Sequence, residues 1–315
     1  MKKINDIIGD AKTIGIAGHL RPDGDCMGSC MSLYNYLKKN RPDLDVRVFL
    51  EFVDKKFNII ENTDQIITTG YDGTKFDLFI SLDTASLDRL GLNLPFYENA
   101  KRTACIDHHA SNDGYADYNY ILPKASSASE VLYDLLDEDL IDKSIAEPMY
   151  MGIAHDSGVF RFQSTTPKTM RIAANMIEKG VNVNMILEET FFRKTYNQMM
   201  VTAKIQSEAV LALDGKCIYG YCTSEMMEEY GVTTKDLDAV VASIRNVDGV
   251  EVAMFLYQLS EDSYKVSLRS KNYVDVSKIA VENGGGGHVR AAGAEIHGEL
   301  NDIINKLLNR IKQDI

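Results

Sequence analysis

Apolar and polar positions alternate in blocks along the first half of the chain. Apolar, β-prone segments at residues 13–18, 45–52, 76–83 and 103–109 are separated by stretches with helical periodicity. Strands that alternate with helices in this way are typical of a parallel sheet covered by helices on both faces. We therefore predict a doubly wound, mainly parallel α/β domain for this part of the chain.

The helices of this half are predicted at residues 26–40, 127–139 and 146–158. The second of them begins with Ser127 and Glu130 at the spacing of a capping box, which marks a helix N-terminus. The first begins directly after the strand at 13–18 and a short polar loop. The connection from strand to helix therefore crowds its polar side chains into one turn.

The second half has a different pattern. Helical periodicity with few breakers runs over residues 168–213, and its later part is predicted to be a connector helix. A smaller α/β domain follows, with strands predicted at 216–223, 250–260 and 263–270 and helices at 225–231, 237–247 and 299–313. The expected organisation is an N-terminal domain over 1–185, a helical connector over 186–213 and a C-terminal domain over 214–315.

Composition does not change the predicted fold, but it bears on where in the cell the protein is expected to be. The chain has 315 residues, 45% of them hydrophobic and 25% charged, as is ordinary for a globular protein. No apolar run is long enough for a transmembrane helix, and the polar N-terminus MKKINDIIGDAK does not resemble a signal peptide. A cytoplasmic protein without a membrane partner is expected.

The five cysteines are an odd number without the spacing of a zinc ribbon, so a disulfide framework is not expected. Cys26 and Cys30 stand four residues apart and can face each other on a helix. Small buried thiols are the more common use of such a pair. A role in metal binding is the alternative.

The net charge of −12 argues against one class of partner. Binding of long nucleic acids depends on many phosphate contacts by Lys and Arg, and this chain has 34 basic against 46 acidic residues. A small anion held in a local, metal-charged pocket remains compatible with this charge. Short substrates are therefore favoured over long ones.

Titratable residues follow the predicted strands at the points where the strands end. In a doubly wound sheet, the ligand crevice lies outside the carboxyl ends of the strands. Side chains far apart in sequence are thereby expected to converge on one edge of one sheet. The residues concerned are His19, Asp23, Asp25, Asp83, Asp107, His108, His109 and Asp156.

The aspartates gathered at this edge would repel one another, and burial would raise their pKa values. Two divalent cations would balance four negative charges, which makes a dinuclear metal site the favoured interpretation. The oxygen-rich set of side chains suits Mn²⁺ or Mg²⁺ better than structural zinc. Taken singly, D-G-D is more often a surface turn and a strand-end Asp more often a helix cap.

The second informative stretch is GGGGHVRAAG at 284–293. Four glycines in an ordered segment indicate close approach of the main chain to another group, and consecutive N–H groups can form an anion-binding nest. His288, Arg290 and Arg269, which ends a predicted strand, supply positive or hydrogen-bonding groups suited to phosphate. A flexible glycine linker is the alternative, and Lys271 and Lys278 stay open between substrate contact and solvated surface.

Four separated segments, HLRPDGD, SLDTAS, IDHHAS and HDSGVF, together resemble the motifs of the DHH phosphoesterases over roughly residues 1–185. The resemblance implies that His19 and Asp23 hold one metal ion, that Asp25, His108 and Asp156 hold a second, and that Asp83 bridges them. It further implies that His109 contacts the scissile phosphate and that Asp107 orients the histidines. The residue at His155, before Asp156, departs from the pattern and is not expected to be a ligand.

SLRS and GGGGHVRAAG resemble the DHH-associated C-terminal domain, which implies that Arg269, Gly286, Gly287, His288 and Arg290 bind substrate. The length of the chain resembles the stand-alone, NrnA-like nanoRNase type. The resemblance implies a phosphodiesterase with two divalent ions, Mn²⁺ or else Mg²⁺ or Co²⁺. Its expected substrates are very short oligonucleotides such as pApA, and 3′-phosphoadenosine 5′-phosphate.

Other functions stay open from the sequence. A cyclic di-AMP phosphodiesterase and a RecJ-type single-strand exonuclease share the N-terminal motifs, although the exonuclease would need a basic channel that the chain lacks. A pyrophosphatase is disfavoured by the glycine-rich loop, and a non-catalytic nucleotide-binding regulator is disfavoured by the full set of metal ligands. The expected partners are short oligonucleotides or nucleotide phosphates, in a monomer or homodimer.

Overall fold

The computed structural model describes residues 3–237 and 240–315. The chain divides into two compact units, one up to Arg193 and one from Lys194. The expected α/β fold with a second, smaller domain is confirmed. The domain boundaries at residues 185 and 213 stay predictions.

In its described part, the first unit contains one sheet of six strands in the order β3-β2-β1-β4-β5-β6. Every pairing in this sheet is parallel. Because β1 pairs with both β2 and β4, the strand order reverses beside it and opens a crevice at the carboxyl ends. The strands are β1 (Thr13–Ala17), β2 (Asp45–Phe49), β3 (Ile66–Ile67), β4 (Leu78–Leu82), β5 (Thr103–Asp107) and β6 (Tyr118–Ile121).

Helices and the sheet share a continuous apolar core in this unit. The helices are α1 (Ile4–Ile8), α2 (Gly24–Asn40), α3 (Leu94–Glu98), α4 (Ala128–Leu135), α5 (Lys143–Asp156), α6 (Pro167–Glu178) and α7 (Val183–Leu187), after which Glu188–Phe192 form a π-helical turn. Ser127 caps α4 by accepting a hydrogen bond from Glu130 N, as the capping spacing predicts. The Glu130 side chain instead accepts bonds from Ser126 and Thr169.

Helices α2 and α5 pack closely because each has a glycine at the contact. A Cβ on Gly28 of α2 would lie 2.4 Å from Pro148 O and 2.8 Å from Gly152 Cα in α5. A Cβ on Gly152 would in turn lie 2.7 Å from Asp25 Oδ1. The close approach of the two helices therefore also fixes the position of one of the expected metal ligands.

Replacing Gly28 with alanine is expected to destabilise the first unit. The added methyl meets backbone atoms that cannot rotate away, and overpacking of this kind costs about 1–3 kcal/mol. The better helix propensity of alanine returns at most about 1 kcal/mol. Thermal unfolding should show a lowered Tm for Gly28→Ala. Gly70→Ala, where the nearest atom to the new Cβ is 3.6 Å away, is the matched control and should leave Tm unchanged.

The second unit contains, in its described part, a mixed sheet of six strands in the order β11-β12-β10-β9-β8-β7. Only the β8–β9 pairing is parallel among those described. The strands are β7 (Val210–Ala212), β8 (Cys217–Cys222), β9 (Val252–Ser260), β10 (Ser263–Ser270), β11 (Gly286–His288) and β12 (Ala291–His297). The helices are α8 (Tyr196–Glu208), α9 (Ser224–Tyr230), α10 (Val240–Ile244), α11 (Val276–Val281) and α12 (Leu300–Ile311).

The prediction of helix up to residue 213 is wrong at its end. Helix α8 stops at Glu208, and Val210–Ala212 pair antiparallel with β8, because apolar residues at a sheet edge satisfy their backbone groups in the ladder. Before α8, the region contains the separate helices α6 and α7 and the π-helical turn. Of the helix predicted at 237–247, residues 240–244 are helical, whereas 238 and 239 lie outside the described residues.

No helix within the described ranges combines the length and the apolar character that crossing a lipid bilayer would require.

Candidate metal centre and substrate-binding residues

The carboxyl edge of the first sheet brings together residues from three neighbouring strands. His19 follows β1 by two positions, Asp83 directly follows β4, and Asp107 is the last residue of β5. Since β1, β4 and β5 are adjacent and parallel, their ends lie at the same edge. This is the edge that the sequence pattern predicts for the cluster.

Asp83 lies at the centre of the cluster and faces histidines on both sides. Its Oδ2 is 3.5 Å from His19 Nε2, and its Oδ1 is 3.4 Å from His108 Nε2. The residue is 2% exposed, and Oδ1 has no hydrogen-bond partner among the described residues. A buried carboxylate with one oxygen toward each of two imidazoles has the arrangement that a bridging metal ligand needs.

The backbone of Asp83 is unusual as well. Its φ of +51° lies in the left-handed region, which non-glycine residues rarely adopt. Its N–H donates to Ile106 O at 3.1 Å, so the neighbouring strand β5 holds this conformation in place. Strained backbone of this kind is concentrated at functional sites.

His19 is held in the tautomer that suits a metal ligand. Its Nδ1–H donates to Leu20 O at 2.8 Å, which leaves the Nε2 lone pair directed toward the cluster. Besides Asp83, that nitrogen faces Asp23 Oδ1 at 3.8 Å. His19 is buried, whereas the Asp23 side chain is largely exposed.

Helix termini supply the remaining carboxylates. Asp23 is the N-cap of α2 and accepts hydrogen bonds from Asp25 N and Cys26 N. Asp25 lies in the first turn of α2, and its two oxygens accept hydrogen bonds from Ala128 N and Ser129 N at the start of α4. Asp156 is the last residue of α5, so the prediction that it follows a strand is wrong, although it still joins the cluster.

Asp25, His108 and Asp156 form a second part of the cluster. One ligand atom from each of them lies within 4.8 Å of the others, and His108 Nε2 is 3.3 Å from Asp156 Oδ2. Burial, together with the charge of Asp83, raises the pKa of Asp25 to about 7. Burial likewise raises the pKa of Asp156 well above its usual value.

Asp83 and the histidines that face it stabilise one another's charged forms. Burial alone would lower the pKa of His108, but Asp83 and Asp156 outweigh it and raise that pKa well above its usual value. Burial would also raise the pKa of Asp83, yet His108 and His19 hold it far below its usual value. The cluster therefore stabilises any positive charge placed among its carboxylates.

The donor set fits divalent cations. Two groups of side chains, His19 with Asp83 and Asp25 with His108 and Asp156, converge from opposite sides of the buried Asp83 carboxylate. Carboxylate oxygens with imidazole nitrogens are ligands that Mn²⁺, Fe²⁺, Co²⁺ and Zn²⁺ accept. Asp83 Oδ1, which is buried without a hydrogen-bond partner among the described residues, is an atom that such an ion would satisfy.

His109 is oriented by Asp107 rather than by the cluster itself. Its Nδ1–H donates to Asp107 Oδ1 at 2.8 Å, while Asn112 Nδ2 donates to Asp107 Oδ2 at 2.7 Å. Asp107 is completely buried. Asn112 was not among the predicted site residues, because an asparagine in a loop carries no signal without its partner.

His155 packs away from the metal-ligand groups that the described residues form. Its Nε2 is 2.9 Å from Thr190 Oγ1, and its ring contacts Phe57 and Phe191 edge-on. Burial, with the nearby charge of Lys56, lowers the pKa of His155 to about 4. The side chain is therefore a neutral packing group next to Asp156, and its exclusion from the ligands stays a prediction.

In the second unit, strand register places two of the predicted substrate residues in one row. Arg269 of β10 pairs with Ala291 of β12, which pairs with His288 of β11. Directly opposed residues in antiparallel strands point to the same face, so Arg269 and His288 share a face about 10 Å apart, two strand spacings.

The glycine run forms an edge strand that packs closely on β12. A Cβ on Gly285 would lie 2.1 Å from Gly293 O, and one on Gly287 would lie 2.5 Å from Ala291 O. The close approach expected of these glycines is thus to the neighbouring strand of the same sheet. Gly286, by contrast, has no atom within 4 Å of its Cβ position and is exposed, so an anion-binding role for it stays a prediction.

Arg290 lies in the turn between β11 and β12 and forms hydrogen bonds with the adjoining loop. Its Nη1 donates to Val274 O at 2.7 Å, and its carbonyl accepts a hydrogen bond from Ser270 N. Five further hydrogen bonds, from Asn272, Tyr273 and Val274, go to the Glu251 carboxylate at 2.8–3.1 Å. The loop at residues 272–274, which Arg290 contacts, is therefore held by hydrogen bonds to the buried Glu251 carboxylate.

Replacing Glu251 with glutamine is expected to destabilise the second unit by about 2 kcal/mol, the cost of weakening charge-assisted hydrogen bonds to a buried group. Burial alone would raise the pKa of Glu251, but the Val274, Tyr273 and Asn272 donors outweigh it and hold the pKa below its usual value. The stabilisation is thus present above pH ~4.3 and is lost as pH falls through the folded-state pKa.

Urea unfolding of the wild type and Glu251→Gln checks this at neutral pH and below pH 4. The difference in the free energy of unfolding between the two proteins should be smaller at the lower pH. Glu261→Gln, at an exposed position in the β9–β10 turn, should match the wild type at both. A Glu251→Gln difference that is independent of pH would contradict the role assigned to the carboxylate charge.

A parallel sheet with a carboxylate and histidine cluster at its switch point, followed by a second α/β unit, defines a class of two-domain, metal-dependent phosphoesterases. Residues 13–153 match the DHH family, N-terminal domain, and residues 214–314 match the DHHA1 domain. The chain belongs to the DHH family. The resemblance that the four sequence motifs carry is thereby confirmed.

Curated relatives match nearly the whole chain. The bifunctional oligoribonuclease and PAP phosphatase NrnA of Thermus thermophilus is 31% identical, over 96% of this chain and 90% of its own. The protein of the same description from Bacillus subtilis is 27% identical, over 90% of each chain. An exopolyphosphatase-related protein from Bacteroides fragilis shares the fold, with a TM-score of 0.89 at 23% identity over 98% of this chain and 95% of its own.

Proposed function

We propose that the protein hydrolyses very short oligonucleotides to nucleoside monophosphates and also removes the 3′-phosphate of 3′-phosphoadenosine 5′-phosphate. The observation that carries the proposal is the 31% identity, over 96% of the chain, to a bifunctional oligoribonuclease and PAP phosphatase. The two family models match residues 13–153 and 214–314, and these ranges contain every predicted site residue except Asp156.

The two reactions share one chemical step. In pApA and in 3′-phosphoadenosine 5′-phosphate, the reacting phosphorus is bonded to a ribose O3′. Water adds to this phosphorus, the P–O3′ bond breaks, and the released O3′ takes up a proton. The substrates differ only in whether the phosphorus also carries a second nucleoside, so one centre serves both.

Two divalent ions are proposed for the cluster, with Mn²⁺ preferred and Mg²⁺ or Co²⁺ as substitutes. His19 and Asp23 would hold one ion, Asp25, His108 and Asp156 the other, and Asp83 would bridge them. When bound, such a pair lowers the pKa of water and stabilises charge on the attacking and leaving oxygens. The orphaned Asp83 Oδ1 and the depressed pKa of Asp83 support this assignment.

His109 is proposed to contact the scissile phosphate. The buried Asp107 carboxylate accepts the Nδ1 proton and so fixes the orientation of the ring, whose Nε2 then contacts a nonbridging oxygen. In the second unit, Arg269, His288 and Arg290 would bind the phosphates of the remaining nucleotide, with Gly286 and Gly287 offering backbone N–H groups. A site with so few cations favours short substrates on this acidic chain, in which acidic residues outnumber basic ones by 46 to 34.

A competition assay with the Mn²⁺-loaded, full-length protein tests the proposal. The mixture contains pApA, a 24-mer RNA, 3′-phosphoadenosine 5′-phosphate, cyclic di-AMP and pyrophosphate, and chromatography resolves the products. We expect rapid loss of pApA and of the bisphosphate, with AMP as the common product and the 24-mer largely intact. A chelator-treated sample is the control and should be inactive.

The other outcomes identify the alternatives. Preferential loss of cyclic di-AMP would indicate a cyclic dinucleotide phosphodiesterase, and degradation of the 24-mer would indicate a single-strand exonuclease. Preferential loss of pyrophosphate would contradict the role given to the C-terminal domain. Complete absence of turnover in the metal-loaded sample would favour a nucleotide-binding regulator.

A further inference from the structure

A thiol lies against one side of the metal cluster. One ligand atom from each of His19, Cys26 and Asp83 lies within 4.8 Å of the others, and all three residues are buried. Cys26 is not among the ligands that the family motifs imply. It lies one position after Asp25, in the first turn of α2, on the side of the cluster where His19 approaches Asp83.

The local backbone fixes the position of this thiol. Cys26 N donates to Asp23 Oδ1 at 3.1 Å, which sets the first turn of α2 against the end of β1. A Cβ on Gly18 would lie 2.1 Å from Cys26 Sγ, so the sulfur occupies the space that this glycine leaves. Its hydrogen-bond acceptor is His19 O at 3.9 Å, a long and weak contact.

The Asp83 carboxylate borders both metal positions, since its Oδ2 is 3.5 Å from His19 Nε2 and its Oδ1 is 3.4 Å from His108 Nε2. Asp83 is 2% exposed, and its Oδ1 has no hydrogen-bond partner in the described part of the chain. The Cys26 thiol does not satisfy this oxygen, because its own contact goes to His19 O. A cation among His19, Cys26 and Asp83 would contact the Cys26 sulfur and the Asp83 oxygen that faces His19, Oδ2.

We infer that Cys26 is an additional ligand of the metal position formed by His19, Asp23 and Asp83. The inference rests on the two-ion site of the proposed function and changes its chemistry. Thiolate ligands favour Zn²⁺ and other softer ions, whereas carboxylates with little else favour Mn²⁺ and Mg²⁺. The position with Cys26 is therefore selective for Zn²⁺ or Co²⁺, and the position of Asp25, His108 and Asp156 keeps the preference for a harder ion.

Binding of a metal ion by Cys26 would release one proton, because the thiol loses its proton to solvent when the metal–sulfur bond forms. No redox step is involved, and the sulfur keeps its oxidation state. The two metal positions then differ in ligand chemistry, so the loaded protein holds two different ions when both kinds are supplied.

Cys30 offers a matched control for this inference. It lies one helical turn after Cys26, is equally buried, and also approaches Gly18, whose Cβ would be 3.2 Å from Cys30 Sγ. It belongs to none of the metal-ligand groups found among the described residues. A serine at position 30 therefore perturbs the same packing without removing a ligand.

The test is titration of the metal-free, reduced, full-length protein with Co²⁺, followed by absorption. We expect a thiolate-to-Co²⁺ charge-transfer band in the near ultraviolet that saturates at one ion per chain. The band should be absent in Cys26→Ser and retained in Cys30→Ser. Cys26→Ser should also bind Zn²⁺ at least about 10-fold more weakly, the scale of a perturbed metal site, with Mn²⁺ affinity changed far less.

A wild-type protein without the band, or a band that persists in Cys26→Ser, would overturn the inference. Since the serine variant can fail to fold, zinc K-edge absorption of the wild type loaded with one equivalent provides a second measurement. We expect one sulfur at about 2.3 Å from the zinc. A shell of only oxygen and nitrogen would exclude Cys26 as a ligand.

These readouts do not depend on hydrolysis, so the two proposals can fail separately. A sulfur-ligated ion in a protein that leaves pApA intact would keep the role of Cys26 and remove the proposed function. Cleavage of pApA by a protein without the sulfur ligand would keep the function and remove the role of Cys26.

Discussion

Replacing Asp83 with asparagine is expected to reduce the turnover of pApA by about 10³-fold or more, which corresponds to ~4 kcal/mol of lost transition-state stabilisation. The carboxylate faces His19 and His108 with different oxygens, so it is the group best placed to bridge two ions. An amide offers only one oxygen and no charge. We expect the variant to hold fewer ions per chain as well, measured by metal analysis after gel filtration.

The asparagine variant should keep its fold. Asp83 has a φ of +51°, and asparagine is one of the few residues that adopt this region readily. Asp88→Asn, at an exposed position a few residues later, is the matched control and should turn over pApA like the wild type. Turnover by Asp83→Asn within tenfold of the wild type, at equal metal content, would exclude Asp83 as a bridging ligand.

The position of the cluster could be predicted because the ligand crevice of a parallel α/β sheet lies outside the carboxyl ends of its strands. The strands predicted at 76–83 and 103–109 are found as Leu78–Leu82 and Thr103–Asp107, within one or two residues of their predicted C-terminal ends, and adjacent parallel strands share a carboxyl edge. The sequence does not state which strands are neighbours. The alternation of strands and helices was sufficient, because it leaves few topologies for a sheet covered on both faces.

Side-chain orientation could not be predicted in the same way. The contact of Asn112 with Asp107 joins a loop to a strand end, and the N–H groups that hold Asp25 come from α4, more than 100 positions later. Cys26 was interpreted chiefly as a packing thiol, because helical spacing pairs it with Cys30. Its proximity to His19 and Asp83 depends on the angle between β1 and α2, which no local pattern encodes.

Short edge strands were the weakest part of the sequence prediction. Val210–Ala212 continue an apolar helical pattern, and only pairing with β8 makes them a strand. Gly286–His288 have low strand propensity, and only the ladder with β12 orders them. In both segments a tertiary contact outweighs the local preference, since three residues carry too little periodicity to decide.

Replacing Asp107 with asparagine is expected to lower kcat for pApA by about 10²-fold, or ~3 kcal/mol, with a smaller change in KM. Asp107 accepts the Nδ1 proton of His109, and an amide in its place can present N–H to that nitrogen. The His109 ring would then lose the acceptor that fixes its orientation. Asp113→Asn, at an exposed position nearby, should leave kcat unchanged.

A double-mutant cycle distinguishes this positioning role from a structural one. If Asp107 acts through His109, its loss costs nothing further once His109 is alanine, so the double variant should have the kcat of His109→Ala. If Asp107 only holds the loop through Asn112, the two effects should multiply. Multiplied effects would contradict the orienting role, and they would place the importance of Asp107 in the packing of the loop after β5.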